Sequence, residues 1–445
     1  MSSPLPLSQA GRPRVLIVGA LVAGALFSTH AGCGGDEPLP PPPPESKHIH
    51  IQLLGFNDFH GNLEPPTSSN GTIAVPGENG GASTTVTAGG AAHFAAHIAR
   101  LRAQNPHTVV VSAGDLIGAS PLISGIFHDE PTIEVMNQVG LDINSVGNHE
   151  FDDGREELLR MQNGGCHPVD GCQGGASFPG AKFKFLSANV FTDVGSRKTL
   201  LPAYDIREFE GVKVAFIGMT LEGTPNIVNP TGIAGLTFQD EADTVNALIP
   251  ELRAQGVESI GVIIHEGGAI TGFYNECAGV SGAIVDIVNR LDPAVDFIHS
   301  GHTHNAYNCV INNRRVTSAA SYGRVISQVD VVVDSVTKDV VSVEATNHIV
   351  TRDATDATVD ALVKGYAARA APLANRVIGY TPDELKMPPR VTVPAGEAGD
   401  STLGKVIADG MLEATRAPDK GGAVIALTNP GGVRANIVAG DITYG

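Results

Sequence analysis

Seven side chains of metal-binding type recur along this chain, each just past an apolar run. They are Asp58 and His60 in Asn57-Asp58-Phe59-His60, Asp115 after Gly114, Asn148 in Gly147-Asn148-His149-Glu150, His265 before Glu266, and His302 and His304 in Gly301-His302-Thr303-His304. Carboxylate oxygens, an amide oxygen and imidazole nitrogens are the donors that divalent Mn, Zn, Fe or Co accept. The two Asp-x-His and His-x-His pairs fall on one side of the backbone if the segment is extended, because strand side chains alternate. His149 and Asp152 form a different kind of pair. They are three residues apart, so a helix beginning at Asn148 lets them touch. A carboxylate on one ring nitrogen fixes the tautomer and raises the basicity of the imidazole, as general acid/base chemistry requires. Singly, each pattern is common on turns and helix caps. Their succession after strand-like runs argues for one site.

The runs that must position these residues are short and rich in β-branched residues: 48–56, Thr108–Ser112, 143–146, 257–264 and 295–298. Such runs read as buried strands, and functional loops of layered α/β folds gather at strand carboxyl ends. Residues 88–103 and 241–255 have helical spacing. Residues 325–333 alternate and 340–343 follow, which predicts a hairpin turning at 335–339. Residues 356–371 predict a helix with Val359, Leu362, Val363 and Tyr366 on one face, ended or kinked by Pro372. Residues 403–412 predict a further amphipathic helix, and 424–427 a strand leading to Asn429.

In this order the motifs resemble the metallophosphatase (calcineurin-like phosphoesterase) superfamily. Residues 114–121 and 147–152 are similar, more narrowly, to the 5'-nucleotidase family of secreted bacterial phosphoesterases. The resemblance covers about residues 48–445. It implies an α/β fold: a four-layer α/β/β/α catalytic sandwich over 48–352, a linker helix over 353–375, and the start of an α+β C-terminal substrate-binding domain over 376–445. Thr443-Tyr444-Gly445 matches an internal motif of that domain in the family, so the domain is expected to be incomplete here. The family also implies two divalent metal ions. Asp58, His60, Asp115 and His304 would hold the first. Asp115, Asn148, His265 and His302 would hold the second, with Asp115 bridging. Water activated at the metals would attack phosphorus in line, and His149 with Asp152 would steady the phosphoryl group or protonate the leaving oxygen.

Asn429, Gly431, Gly432 and Arg434 resemble the family's substrate-contacting Asn-x-Gly-Gly-x-Arg segment. The arginines that relatives carry before the 403–412 helix have no counterpart in 395–400, and the base-stacking aromatics lie, in the family, past the position of Gly445. The implied reaction is hydrolysis of nucleoside 5'-monophosphates to nucleoside and phosphate, a step of nucleotide catabolism. The same site would support 2',3'-cyclic-nucleotide phosphodiesterase or nucleotide-sugar pyrophosphatase chemistry. A thiosulfohydrolase shares the metal domain, but nothing here points to sulfur chemistry. A surface binding or adhesion protein keeping only the fold would be expected to have lost ligands or the His149/Asp152 pair, and none is lost.

A chain of 445 residues exceeds one hydrophobic core, so two domains are expected. The formal net charge of −18 argues against a nucleic acid polymer or an anionic membrane held by bulk electrostatics. The expected partner is a small nucleotide or phosphoester. Arg12 and Arg14, the apolar run 15–27 and Ala31-Gly32-Cys33 resemble a bacterial lipoprotein signal, with Cys33 acylated and Pro40 to Pro44 as a stiff spacer. The protein is then extracytoplasmic, either lipid-anchored at the envelope or secreted or periplasmic, and it meets a membrane only through Cys33. The other four cysteines form an even set, which predicts Cys166–Cys172 and Cys277–Cys309 disulfides. A zinc site joining His167 to the first pair has poor spacing. His93, His97, His107, His128, His167 and His348 read as ordinary surface or core residues.

Overall fold

Parallel strands buried on both faces need continuous apolar runs, and the β-branched runs of this chain supply them. A computed structural model describes residues 45–77, 81–173, 177–387, 401–429, 432–433 and 435–445. Twelve strands build two six-stranded mixed sheets. In chain order they are β1 (His48–Phe56), β2 (Thr108–Ser112), β3 (Ile143–Ser145), β4 (Lys184–Leu186), β5 (Tyr204–Phe209), β6 (Val212–Met219), β7 (Ser259–Ile264), β8 (Phe297–Ser300), β9 (Ala306–Ile311), β10 (Arg314–Ala319), β11 (Val325–Asp334) and β12 (Val340–Ile349). The first sheet runs β12-β11-β1-β2-β3-β4 and the second β9-β10-β8-β7-β6-β5. β1 through β4 are parallel, as are β6, β7, β8 and β10; β11 and β12 in the first sheet and β5 and β9 in the second pair antiparallel.

The inner faces pack against each other. Ile49, Ile51, Leu53, Val109 and Val111 of the first sheet meet Val214, Phe216, Ile263 and Phe297 of the second. Six helices cover the outer faces: α1 (Ala91–Arg102), α2 (Glu130–Val139), α3 (Arg155–Asn163), α4 (Glu241–Ala254), α5 (Ala283–Arg290) and α6 (Ala357–Ala374). α1, α2 and α3 bury their apolar stripes on the first sheet, α6 packs over α1 and α2, and α4 and α5 cover the second. The result is a four-layer α/β/β/α sandwich. Asp356 starts α6 by accepting from the backbone N–H of Thr358 and Val359. The helix runs through Pro372 to Ala374. Val359, Val363, Tyr366 and Ala370 are buried, so packing outweighs the hydrogen bond that proline removes near the last turn.

Register aligns the strand ends that carry chemistry. Phe56 pairs with Ser112, Ser112 with Asn144, and Ile264 with Ser300. Each partner is the last strand residue, or next to it, before a predicted ligand.

The expected strand over 424–427 does not form. Val424, Ile425 and Leu427 are 91%, 70% and 83% exposed and pair with no strand among the described residues. β-Branched composition makes a strand only where a neighbouring edge completes the ladder. The antiparallel pair in this region is Val377–Thr381 with Gly440–Thr443, and Thr402–Thr415 is helical. Cys166–Cys172 and Cys277–Cys309 are disulfide-bonded, so no Cys thiolate among the described residues is left to join His167 on zinc. The N-terminal segment with Cys33 and Pro40 to Pro44 lies outside the described residues. No helix among those described is long and apolar enough to cross a membrane.

The two sheets approach closely where β1 meets β8. A Cβ on Gly55 would lie 2.7 Å from the His299 ring. That ring is fully buried and held at both nitrogens, by Phe56 O at 3.1 Å and Thr317 Oγ1 at 3.0 Å. Burial pushes its pKa down to about 4, so it stays neutral. It has no room to yield. Gly55→Ala should therefore destabilise the fold by about 1–3 kcal/mol, the range for overpacking a filled core. Gly365→Ala in α6 would meet nothing within 4 Å and should be neutral or slightly stabilising. Thermal melts of the two variants check this; equal melting temperatures would mean the sheets are not in contact at Gly55.

Candidate functional site

Five of the seven predicted ligand residues have left-handed backbones: Asp58 (φ 51°), His60 (48°), Asp115 (49°), His302 (69°) and His304 (55°). Asp58/His60 and His302/His304 are therefore not extended pairs, and strand alternation does not aim them. They sit in turns, where hydrogen bonds between loops take over from the sheet ladder. Asp58 N donates to Gly114 O at 2.9 Å, His60 N to Asp115 O at 3.0 Å, and Tyr322 N to Asp58 O at 2.8 Å. A non-glycine residue in this region costs about 1–3 kcal/mol and persists only where its surroundings fix it, commonly at functional sites.

These turns bring all seven residues together. Asp58, His60 and His304 offer donor atoms within 4.8 Å of one another, and so do Asp115, His265 and His302. His60 Nδ1 donates to Gly118 O at 2.9 Å, which turns Nε2 toward His304 Nε2 at 3.1 Å. His265 Nδ1 donates to Ala113 O at 2.7 Å. Its Nε2 lies 3.0 Å from Asp115 Oδ2 and 3.2 Å from Asn148 Oδ1. Backbone carbonyls thus set both ring orientations, as they do for metal-ligating histidines. Asp58 Oδ2 accepts from His302 N at 2.9 Å. Asp58 Oδ1 is buried and makes no hydrogen bond, although His304 Nε2 lies 3.2 Å away, out of hydrogen-bond alignment. Buried polar atoms are rarely left so. An orphaned carboxylate oxygen, two facing Nε2 atoms and an all-N/O donor set fit a divalent cation.

The electrostatics are those of charges held away from water. Burial drives the His60 pKa down to about 3. Burial also opposes a charge on His265, but the Asp115 carboxylate, helped by Asp58 and Glu150, outweighs it and lifts that ring to about 10. Asp115, despite burial, is held well below the usual carboxylate range by His265 and His60.

His149 and Asp152 lie beside this cluster. His149–Phe151 is a short 3-10 turn, and His149 Nδ1 is 2.7 Å from Asp152 Oδ2. His149 N donates to Asp115 Oδ1 at 2.9 Å, and its ring stands 5.0 Å from that of His60. His149 also falls within ligand reach of His60 and Asp115. Asp152 thus fixes the His149 ring through Nδ1.

Sequence reading gave Glu150 and Asn57 no role. Glu150 is buried, and its carboxylate accepts from Asp115 N (3.0 Å), Leu116 N (2.8 Å) and Gly147 N (2.6 Å), fastening the Asp115 and Asn148 loops together. Burial and then Asp115 raise its pKa to about 7. A carboxylate three residues after a glycine that opens a turn was the available signal. Asn57 bridges Asp58 Oδ2 to Ala319 N and Ala320 O across the two sheets. Of the predicted substrate segment, Gly431 and Arg434 lie outside the described residues. Asn429 and Gly432 close a tight turn, Gly432 N donating to Asn429 O at 3.0 Å. Ala435 and Asn436 beyond it line a cleft of about 270 Å³ with Asn62, Glu64, Pro65 and Pro66, the loop after His60.

The profile of the family described as "5'-nucleotidase, C-terminal domain" matches residues 377–445. The chain is 34% identical over 409 residues to Endonuclease YhcR of Bacillus subtilis, covering 90% of this chain and 31% of that protein. It is 33% identical over 425 residues to the cell wall protein Lmo0130 of Listeria monocytogenes, covering 89% of this chain and 52% of the relative. The chain thus spans only a third to a half of the length of these relatives. Among solved structures, the 5'-nucleotidase precursor of Thermus thermophilus superposes with a TM-score of 0.66 at 26% identity, over 89% of this chain and 72% of that one.

A cation needs the neutral ring of His265, whose pKa without metal is raised to about 10. Metal uptake near neutral pH should therefore release a proton from His265 and none from His60. Apparent affinity should climb up to about tenfold per pH unit from 7 toward 10. Titrations in buffers of different ionisation enthalpy measure the released protons. The sign for stability follows. In the metal-free protein, the raised pKa of His265 adds stability that is complete below 6.5 and is lost as pH rises through about 10. Proton uptake on metal binding, or pH-independent affinity, would contradict the arrangement.

Proposed function

Since the chain belongs to the 5'-nucleotidase family of the calcineurin-like metallophosphatase superfamily, we propose that it is an extracytoplasmic phosphoesterase hydrolysing nucleoside 5'-monophosphates to nucleoside and phosphate. One observation carries the reading. Asp58, His60, Asp115, Asn148, His265, His302 and His304 converge from five strand ends around a buried carboxylate oxygen that has no hydrogen bond, with the His149–Asp152 pair alongside.

Two divalent cations (Mn, Zn, Fe or Co) would be held, one by Asp58, His60, Asp115 and His304, the other by Asp115, Asn148, His265 and His302, with Asp115 shared. When bound, such ions acidify water toward a pKa of ~7 and offset phosphoryl charge. The remaining work belongs to the chain. Gly118 O and Ala113 O aim the imidazoles of His60 and His265. Glu150 holds the Asp115 and Gly147 loops at fixed spacing. Asp152 keeps the His149 ring oriented through Nδ1, so that Nε2 can bind a phosphoryl oxygen or deliver a proton to the leaving oxygen. Residues 48–352 would carry this chemistry, α6 within 353–375 would join them to 376–445, and Asn429, Gly431, Gly432 and Arg434 would contact substrate. The family profile over 377–445 supports a substrate-binding role for that end. Lmo0130 is named a cell wall protein, which supports an extracytoplasmic location, and Cys33 would be the point of lipid attachment.

Phosphodiester cleavage is the second reading, because one relative at 34% identity is named an endonuclease. The charge of −18 weighs against a polymeric substrate here and leaves 2',3'-cyclic nucleotides or nucleotide sugars as the diester candidates.

Phosphate release should be measured on nucleoside 5'-monophosphates and an aryl phosphate, and product formation by chromatography on 2',3'-cyclic nucleotides and nucleotide sugars, whose first cleavage frees no phosphate, each after chelation and cation add-back. Release from the monophosphates that depends on the returned cation is expected. No turnover on any substrate would favour a binding or adhesion protein. His149→Ala should lower kcat by about 10²–10⁴-fold with metal content retained, and Asp152→Asn should fall in between. Metal loss in His149→Ala would make His149 a ligand.

A further inference from the structure

The Cys166–Cys172 loop carries His167 and Asp170, which the proposed chemistry does not use. The disulfide and two backbone hydrogen bonds, His167 N to Gly171 O (3.1 Å) and Gly171 N to His167 O (2.9 Å), already fix the loop's shape. The polar side chains are not needed for that. They meet a third donor from a separate segment, His128, in the turn before α2. His128 and the next residue, Asp129, both have left-handed backbones (φ 55° and 59°), a conformation that non-glycine residues adopt only under constraint. The His128 and His167 rings stack at 3.7 Å. Both approach one carboxylate oxygen, Asp170 Oδ2, with His128 Nε2 at 2.9 Å and His167 Nδ1 at 3.5 Å. Asp170 N donates to His167 Nδ1 at 3.1 Å, so a lone pair of His167, not an N–H, faces the cluster.

We propose that His128, His167 and Asp170 form an auxiliary divalent transition-metal site, separate from the Asp58/Asp115 cluster. The three donor atoms lie within 4.8 Å of one another and are partly exposed, so tilting the two rings out of their stack, whose planes are 10° apart, would bring them to the ~2.0–2.2 Å bonds that zinc takes from imidazole and carboxylate. Two imidazoles and a carboxylate suit zinc, copper or nickel over magnesium or calcium. Three protein ligands leave one tetrahedral position for water. The cation would displace the Asp170 N–H from His167 Nδ1, a small loss at a half-exposed amide. It would also brace the turn that leads to the main site. Asp129 accepts from Gly118 N at 3.1 Å and from Ser124 Oγ at 2.6 Å, and Gly118 O holds His60.

The test counts zinc. The full chain, stripped by chelator and returned to low micromolar free zinc, should bind three equivalents by equilibrium dialysis with elemental analysis. His128→Ala/His167→Ala should lose one equivalent and keep two. If that double variant does not fold, Asp170→Asn, which keeps the side-chain shape, should shift the third binding step to higher zinc. Zinc binding that these substitutions leave unchanged, whatever the total in the unaltered protein, would overturn the proposal. Failure of the main-site reading looks different: the unaltered protein would bind fewer equivalents, and one of them would still be lost in the double variant.

Discussion

Asp115 is the carboxylate around which the candidate site is organised. It lies against His265 at 3.0 Å and receives the backbone N–H of His149, while Glu150 accepts its own N–H. Burying two carboxylates and several imidazoles together is costly unless each charge has a partner. The chain answers with nearly complete hydrogen bonding at the rim and leaves donors facing one another at the centre. Removing positive charge from that centre would leave Asp58 and Asp115 poorly compensated. The donor set therefore fits cations, and its strained left-handed turns are held by the loops that cross-link it.

That cross-linking works because the scaffold is stiff. Two sheets packed face to face fix five strand ends in register, and close approaches such as Gly55 against His299 leave little freedom between them. Glycines let the ligand loops come together: a Cβ on Gly147 would collide with Asp115, and one on Gly114 would lie 2.7 Å from Gly147 N and His265 Nδ1. The Cys277–Cys309 disulfide ties the loop after His265 to β9, so the second sheet's contribution is pinned at both ends.

The layered fold and the convergence of the seven residues were legible because of two local signatures. Buried parallel strands write continuous β-branched runs, and Asp, Asn and His directly after such runs are seldom there for packing. What the sequence hid is non-local or conformational. The left-handed turns at Asp58, His60, His302 and His304 arise from contacts between loops far apart in the chain, so alternation gave the wrong reason for a correct convergence. Glu150 looked like a motif letter because its acceptor bonds from backbone N–H groups reach across 34 and 35 residues as well as three. His128 and His167, read as unrelated surface histidines, stack because α2 and the disulfide loop meet in space. Residues 424–427 read as a strand from composition, but composition does not supply a neighbouring edge.

The central claim is that Asp115 is shared between two cation-binding groups. Elemental analysis of Asp115→Asn, purified beside the unaltered protein and judged folded by its circular dichroism, tests it most directly. Asparagine keeps the shape and removes the charge, so occupancy of both main-site cations should fall together and turnover with it. Full main-site occupancy with undiminished turnover, or clean loss of a single cation while the other stays tightly bound, would contradict the account.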